Sequence, residues 1–122
     1  MTLVSPGKPA RVISDHAVCT AGGTQYNIYT CPSNCRAEVT MLMVTNSSGN
    51  TQTVTVSWYD SSRAQTINIL GSNSLSNGDY VLLTGATLVL EPEDRLDITA
   101  GTSGTVRVDA LCTVTETFIP VG

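Results

Sequence analysis

Polar and apolar residues alternate with a period of two over most of this chain, the pattern of strands that bury one face. Val54, Val56 and Trp58 alternate with Thr53, Thr55, Ser57 and Tyr59. Near the C-terminus Val106, Val108, Ala110, Cys112 and Val114 alternate with Thr105, Arg107, Asp109, Leu111 and Thr113. Val39, Met41 and Met43 do the same against Thr40, Leu42 and Val44, with both flanks partly apolar, which predicts a central strand. Shorter strands are predicted over residues 25–30, 64–70, 80–83, 87–90 and 96–100, and an initial extended piece over 10–19. Val and Thr fill these runs because branching at Cβ restricts χ1 and suits an extended backbone. The predicted core is Val39, Met41, Val54, Val56, Trp58, Leu96, Ile98, Val106, Val108 and Cys112.

Clusters of Gly, Asn, Asp, Ser and Pro punctuate the strands at residues 21–23, 32–34, 46–50, 60–62, 71–73, 77–79, 91–94 and 101–104. About seven to nine strands, with a turn roughly every 8–12 residues, predict an all-β antiparallel sandwich of jelly-roll or immunoglobulin type. No window repeats every 3.6 residues, so no helix beyond a turn is expected. Residues 1–10 carry Pro6, Gly7 and Pro9 and are predicted to form an extended N-terminal arm, with residues 11–122 as one sandwich domain.

Composition narrows the function. At 122 residues there is room for a single domain. Only 13% of residues are charged, and apolar runs stop far short of the ~20 residues that span a bilayer, so neither a disordered chain nor a membrane partner is expected. The net charge of −4 divides into +1 over residues 1–63 (four basic, three acidic) and −5 over 64–122 (two basic, seven acidic). With no basic stripe to neutralise phosphates, nucleic acid is not an expected partner. Residues 1–10 lack the cationic start and apolar core of a secretory signal, which predicts synthesis in a cytoplasm and leaves the Asn46-Ser47-Ser48 sequon unused.

No catalytic constellation emerges. The single histidine, His16, follows Ser14 and Asp15 near the arm, and no Gly-x-Ser-x-Gly elbow accompanies it, so it reads as a surface group. Glu91, Glu93, Asp94 and Asp97 surround Pro92 and read as a solvated acidic corner, without the spacing of a calcium loop. There is no phosphate loop or dinucleotide fingerprint, and neither an enzyme nor a cofactor is predicted. Cys31 and Cys35 flank the Pro32-Ser33-Asn34 turn, within reach of the ~3.8 Å Cβ separation of a disulfide. Cys19 and Cys112 are scattered, which counts against a four-thiolate zinc site, and fully reduced thiols are the remaining option. Of the three, the Cys31–Cys35 disulfide is the expectation taken forward.

The segments Tyr29–Val39, Val44–Gly49, Thr53–Trp58 and Leu88–Ala100 resemble small β-sandwich structural proteins of tailed-bacteriophage virions. Those proteins repeat a Tyr-Thr-Val-Pro-Ala stretch, a Val-Thr-Asn strand end and an acid-Pro-Gly-Asp corner. This chain departs from the pattern with Cys31 and Cys35 at the turn and with Glu93 where glycine is common. The resemblance implies a virion structural protein of the capsid decoration, or cement, type, located in the virion and working as a homo-oligomer, with a trimer favoured. A neck, tail or fibre-base component is the alternative within that class. A glycan or host-receptor module is the competing class, and it needs an exposed aromatic platform, for which Tyr59 beside Tyr26, Tyr29 or Tyr80 is the candidate. Over residues 1–15, Lys8 and Arg11 are expected to leave a mobile arm facing an acidic partner, including Glu91, Glu93, Asp94 and Asp97 of a neighbouring copy.

Overall fold

The computed structural model describes residues 10–101 and 104–119. Eight strands run in chain order: β1 (Arg11–Cys19), β2 (Gln25–Thr30), β3 (Cys35–Asn46), β4 (Gln52–Asp60), β5 (Gln65–Leu75), β6 (Tyr80–Leu90), β7 (Arg95–Ala100) and β8 (Val108–Phe118). They form two four-stranded sheets, ordered β1-β8-β3-β6 and β2-β7-β4-β5, with every pairing antiparallel. Among these strands only the β4–β5 connection stays within a sheet, and every other one crosses to the opposite layer. An immunoglobulin sandwich keeps more hairpins within its sheets, whereas eight strands crossing in this order are a jelly roll. No helix occurs among the described residues.

The core lies between the sheets. Val54 and Val56 of β4, Leu96 and Ile98 of β7, Val44 of β3, and Val108, Ala110, Cys112 and Val114 of β8 are all buried, as strict alternation requires. Val39 and Val106 are buried too.

Two members of the predicted core need correction. Between the pairs Val39↔Val114 and Met41↔Thr113, β3 spends one residue, Thr40, while β8 spends none. This bulge switches the inward face of β3, so Leu42 and Val44 are buried and Met41 is only half-buried. Trp58 is also half-buried, packed on the rim of the core.

Other boundaries shift for similar reasons. The two predicted strands over 80–83 and 87–90 are one strand, β6, carried through Gly85 at φ +81°. The predicted turn at Gly71-Ser72-Asn73 is a bulge inside β5, where Ser72 takes φ +45° and its N–H donates to Thr55 Oγ1 at 3.0 Å. Residues 11–15, expected in the arm, pair with β8 throughout β1. Residues 1–9, with Lys8, lie outside the described residues.

Candidate functional site

The predicted acidic corner joins β6 to β7, and its four carboxylates have separate roles. Glu93 sits at φ +71°, the left-handed region that glycine enters most cheaply. This lets the chain turn sharply, with Asp94 N–H donating to the Glu91 carbonyl at 3.0 Å. The corner then docks on the β2–β3 turn. Cys31 N–H donates to the Asp94 carbonyl at 2.8 Å, and Glu93 N–H donates to the Cys31 carbonyl at 3.0 Å.

Asp94 is 1% exposed. Its Oδ1 accepts from Ser61 N–H (2.9 Å) and Ser61 Oγ (3.1 Å), and its Oδ2 accepts from Glu91 N–H (3.0 Å) and Trp58 Nε1 (3.2 Å). Asp97, 2% exposed, accepts from Arg95 Nε (2.7 Å), Gln25 Nε2 (3.0 Å) and Asn27 Nδ2 (3.2 Å). Both carboxylates are thus buried structural acceptors, which removes them from the expected partner surface. Only Glu91 and Glu93 face solvent there, and Glu91 already meets Arg36 at 3.2 Å.

Arg11 is likewise engaged within its own chain. Its guanidinium pairs with the buried Glu116 at 2.8 Å, and Glu116 Oε2 accepts from Tyr29 Oη at 2.5 Å. Burial together with the Glu116 carboxylate pushes the Tyr29 phenol well above its ordinary range. Arg11 therefore fastens the start of β1, with most of its side chain still exposed.

The expected disulfide is absent, and all four cysteines are buried free thiols. Cys31 Sγ donates to the carbonyls of Cys35 (3.3 Å) and Leu90 (3.7 Å), while Cys35 Sγ donates to Asn34 Oδ1 (3.4 Å). Each sulfur thus has a local acceptor, and the two point to different ones. Burial raises the Cys31 thiol to about 12 and those of Cys19 and Cys112 to about 11, so none is a ready nucleophile. Among the described residues no three His, Cys, Asp or Glu side chains come together as a metal cluster. His16 is exposed on β1, its N–H held by Asp15 Oδ1 at 2.8 Å. The sequon residue Asn46 is buried, its amide donating to the Asn50 and Leu75 carbonyls at 2.8 Å each.

No aromatic platform assembles among the described residues. The Arg95 guanidinium lies 4.2 Å from the Tyr59 ring centre and covers that face. Tyr29 is buried, and the Tyr26 hydroxyl accepts from Thr20 and Ala21 N–H groups.

What the sequence reading missed is the opposite side of the sandwich. Ile67, Ile69, Tyr80, Leu82, Leu83 and Val89 are exposed on the neighbouring edges β5 and β6. A cavity of about 240 Å³ opens between them, reaching Val39, Leu42 and Leu96 in the core. Two signals were available: the apolar runs Val81-Leu82-Leu83 and Leu88-Val89-Leu90, and a single charge, Asp79, between Ala64 and Leu90.

No family model matches the chain. No curated protein matches it in sequence either. Solved structures do match in fold. A chain from the acid-stable capsid of Helicobacter pylori bacteriophage KHP30 superposes with a TM-score of 0.54 at 13% identity, covering 93% of this chain and 98% of that one. The fold is one found in viral capsids. A chain of infectious bursal disease virus, Gx strain, gives a TM-score of 0.49 at 13% identity over 88% of this chain and 33% of that one. A chain of the cyanophage Pam1 capsid gives 0.46 at 14% identity over 96% and 93%. At such identities the likeness is one of fold, and jelly rolls also build lectins and cupins.

Proposed function

We propose that this chain is a non-enzymatic structural protein of a virion, binding the outer capsid shell as a decoration, or cement, protein. The observation that carries the reading is the end-to-end agreement in fold and size with a chain of the KHP30 capsid. The chemistry of the described residues supports it. His16 is isolated on the surface, the buried carboxylates are spent on turns and strand ties, and the thiols are held protonated. Catalysis needs a nucleophile and a base within hydrogen-bond reach, and these residues do not supply that pair.

In this reading the protein works as a homo-oligomer, a trimer, and residues 1–10 tether it to the particle through the positive charge of Lys8. Exposed Glu91 and Glu93 of a neighbouring copy offer an acidic surface to that arm. Ordering ten residues costs roughly 1–2 kcal/mol each in backbone entropy, so the bound arm must make extensive contact. Deleting residues 1–10 is expected to leave a folded domain, by circular dichroism, that co-sediments much more weakly with particles lacking the protein. Full attachment without the arm would overturn the tether. Attachment to tails rather than shells would move the chain to a neck, tail or fibre-base position.

A further inference from the structure

Strands β5 and β6 are each 11 residues long and end their respective sheets on the same side of the sandwich. Edges of that length are usually guarded by lysines, inward charges or proline. From Ala64 to Leu90 there is no Lys, Arg, Glu or Pro, and Asp79 is the sole charge.

The side chains there are also on the wrong side of an ordinary burial pattern. Leu83 pairs with buried Leu42 and Ile67 pairs with Trp58, so both face the interior of the sandwich. Yet Leu83 is 37% exposed and Ile67 48%. The gap between the two edges is the cavity lined by Ile69 of β5 and by Leu83 and Leu88 of β6. On the outer flank Leu82 and Val89 extend the apolar surface.

We propose that this edge is a self-association surface, on which the β5–β6 sides of two or more copies of this chain pack together and close the gap. Charge selects a second copy as the occupant. A surface that meets its own duplicate cannot carry a block of one sign without repulsion, and this one is almost uncharged while the chain as a whole carries −4. Size agrees. Eleven residues at about 3.3 Å span about 36 Å, and two sheets about 10 Å apart with their outer side chains give a side about 20 Å wide. The resulting ~700 Å² approaches the ~800 Å² per partner of a stable interface.

The bulges decide the mode of contact. Gly71-Ser72 in β5 and residues 85–87 in β6 interrupt both edges, which discourages continuous strand addition and favours packing of side chains. Three such edges meeting at one axis would give the trimer proposed above. Self-association itself does not depend on a virion role.

Sedimentation velocity from low to high micromolar concentration tests this, using the full chain, the double variant Ile67→Lys with Leu82→Lys, and Val12→Lys as a control on exposed β1. The wild type and Val12→Lys are expected to reach a dimer or trimer. The double variant is expected to associate at least tenfold more weakly, with an unchanged circular dichroism spectrum. If the lysine pair fails to fold, Ile67→Thr with Leu82→Thr keeps strand propensity and carries the same expectation. A wild type that stays monomeric, or a folded double variant that associates as well as the wild type, would overturn the inference. A monomer that still binds particles would overturn this surface and leave the virion reading standing. An oligomer that binds no particle would do the reverse.

Discussion

The two long sides of this sandwich end their sheets in opposite ways. On one side β1 lies against β2, and polar ties reach across the nearby strands: Arg11 and Tyr29 on Glu116, and Gln25, Asn27 and Arg95 on Asp97. On the other side a cavity opens between β5 and β6, lined by Ile69, Leu83 and Leu88. The closed side satisfies its polar groups within one chain, which makes it a matter of folding. The open side leaves apolar surface that the described residues do not cover, and the proposed self-association would bury it. One fold thus separates the residues that hold the subunit together from those available to join subunits.

Alkali acts on buried thiols away from the open edge and gives the largest expected effect. Cys19, Cys31 and Cys112 belong to β1, the turn after β2, and β8, and none lies on β5 or β6. Their thiols are raised from 9.0 in the native state, so the unfolded chain loses protons first as pH climbs. Their contribution is whole below pH 9 and is lost as pH rises from 9 toward about 11 for Cys19 and Cys112 and about 12 for Cys31. Each thiol then costs up to about 1.4 kcal/mol per pH unit. Urea midpoints recorded across that range are expected to fall, and a flat profile would mean that the thiols are not protected.

The next effect is local to the corner. Asp94→Ala removes the acceptor of four hydrogen bonds, and a loss of about 3 kcal/mol or more is expected in urea unfolding. Asp94→Asn should recover little, because an amide nitrogen would face donors. Glu116→Leu is expected to cost about 2 kcal/mol by stranding the Tyr29 hydroxyl. Adding Tyr29→Phe should return part of that loss, the sign of a coupled pair. The smallest effect is a gain. Glu93→Gly relieves φ +71° and is expected to stabilise the domain by about 0.5–1 kcal/mol, a small rise in Tm.

The sandwich was legible in the sequence wherever alternation is strict, as in β4 and β8. It misled where a bulge inserts residues. The slip after Val39 turned Leu42 inward instead of Met41, and Gly71-Ser72 resembles a turn although it lies within β5. Alternation carries no information on how many residues the partner strand spends between pairs. The acidic corner was visible as a motif but misread as a surface. Composition reports charge, whereas only the fold shows Trp58, Ser61 and Glu91 gathered around Asp94. The turn cysteines had suitable spacing for a disulfide, yet the fold gives each sulfur its own acceptor. The open edge went unread because its apolar runs look like those of any buried strand until the strand order puts them at the rim.

Hydroxyl-radical footprinting of the full chain over a range of concentrations tests the division between the two sides most directly, since it reads side-chain exposure residue by residue. As concentration rises, oxidation of Ile67, Tyr80, Leu82 and Leu83 is expected to fall several-fold, while that of Val12 on β1 stays constant as an internal reference. Equal labelling of β5 and β6 at every concentration, or protection appearing at Val12 instead, would contradict the account.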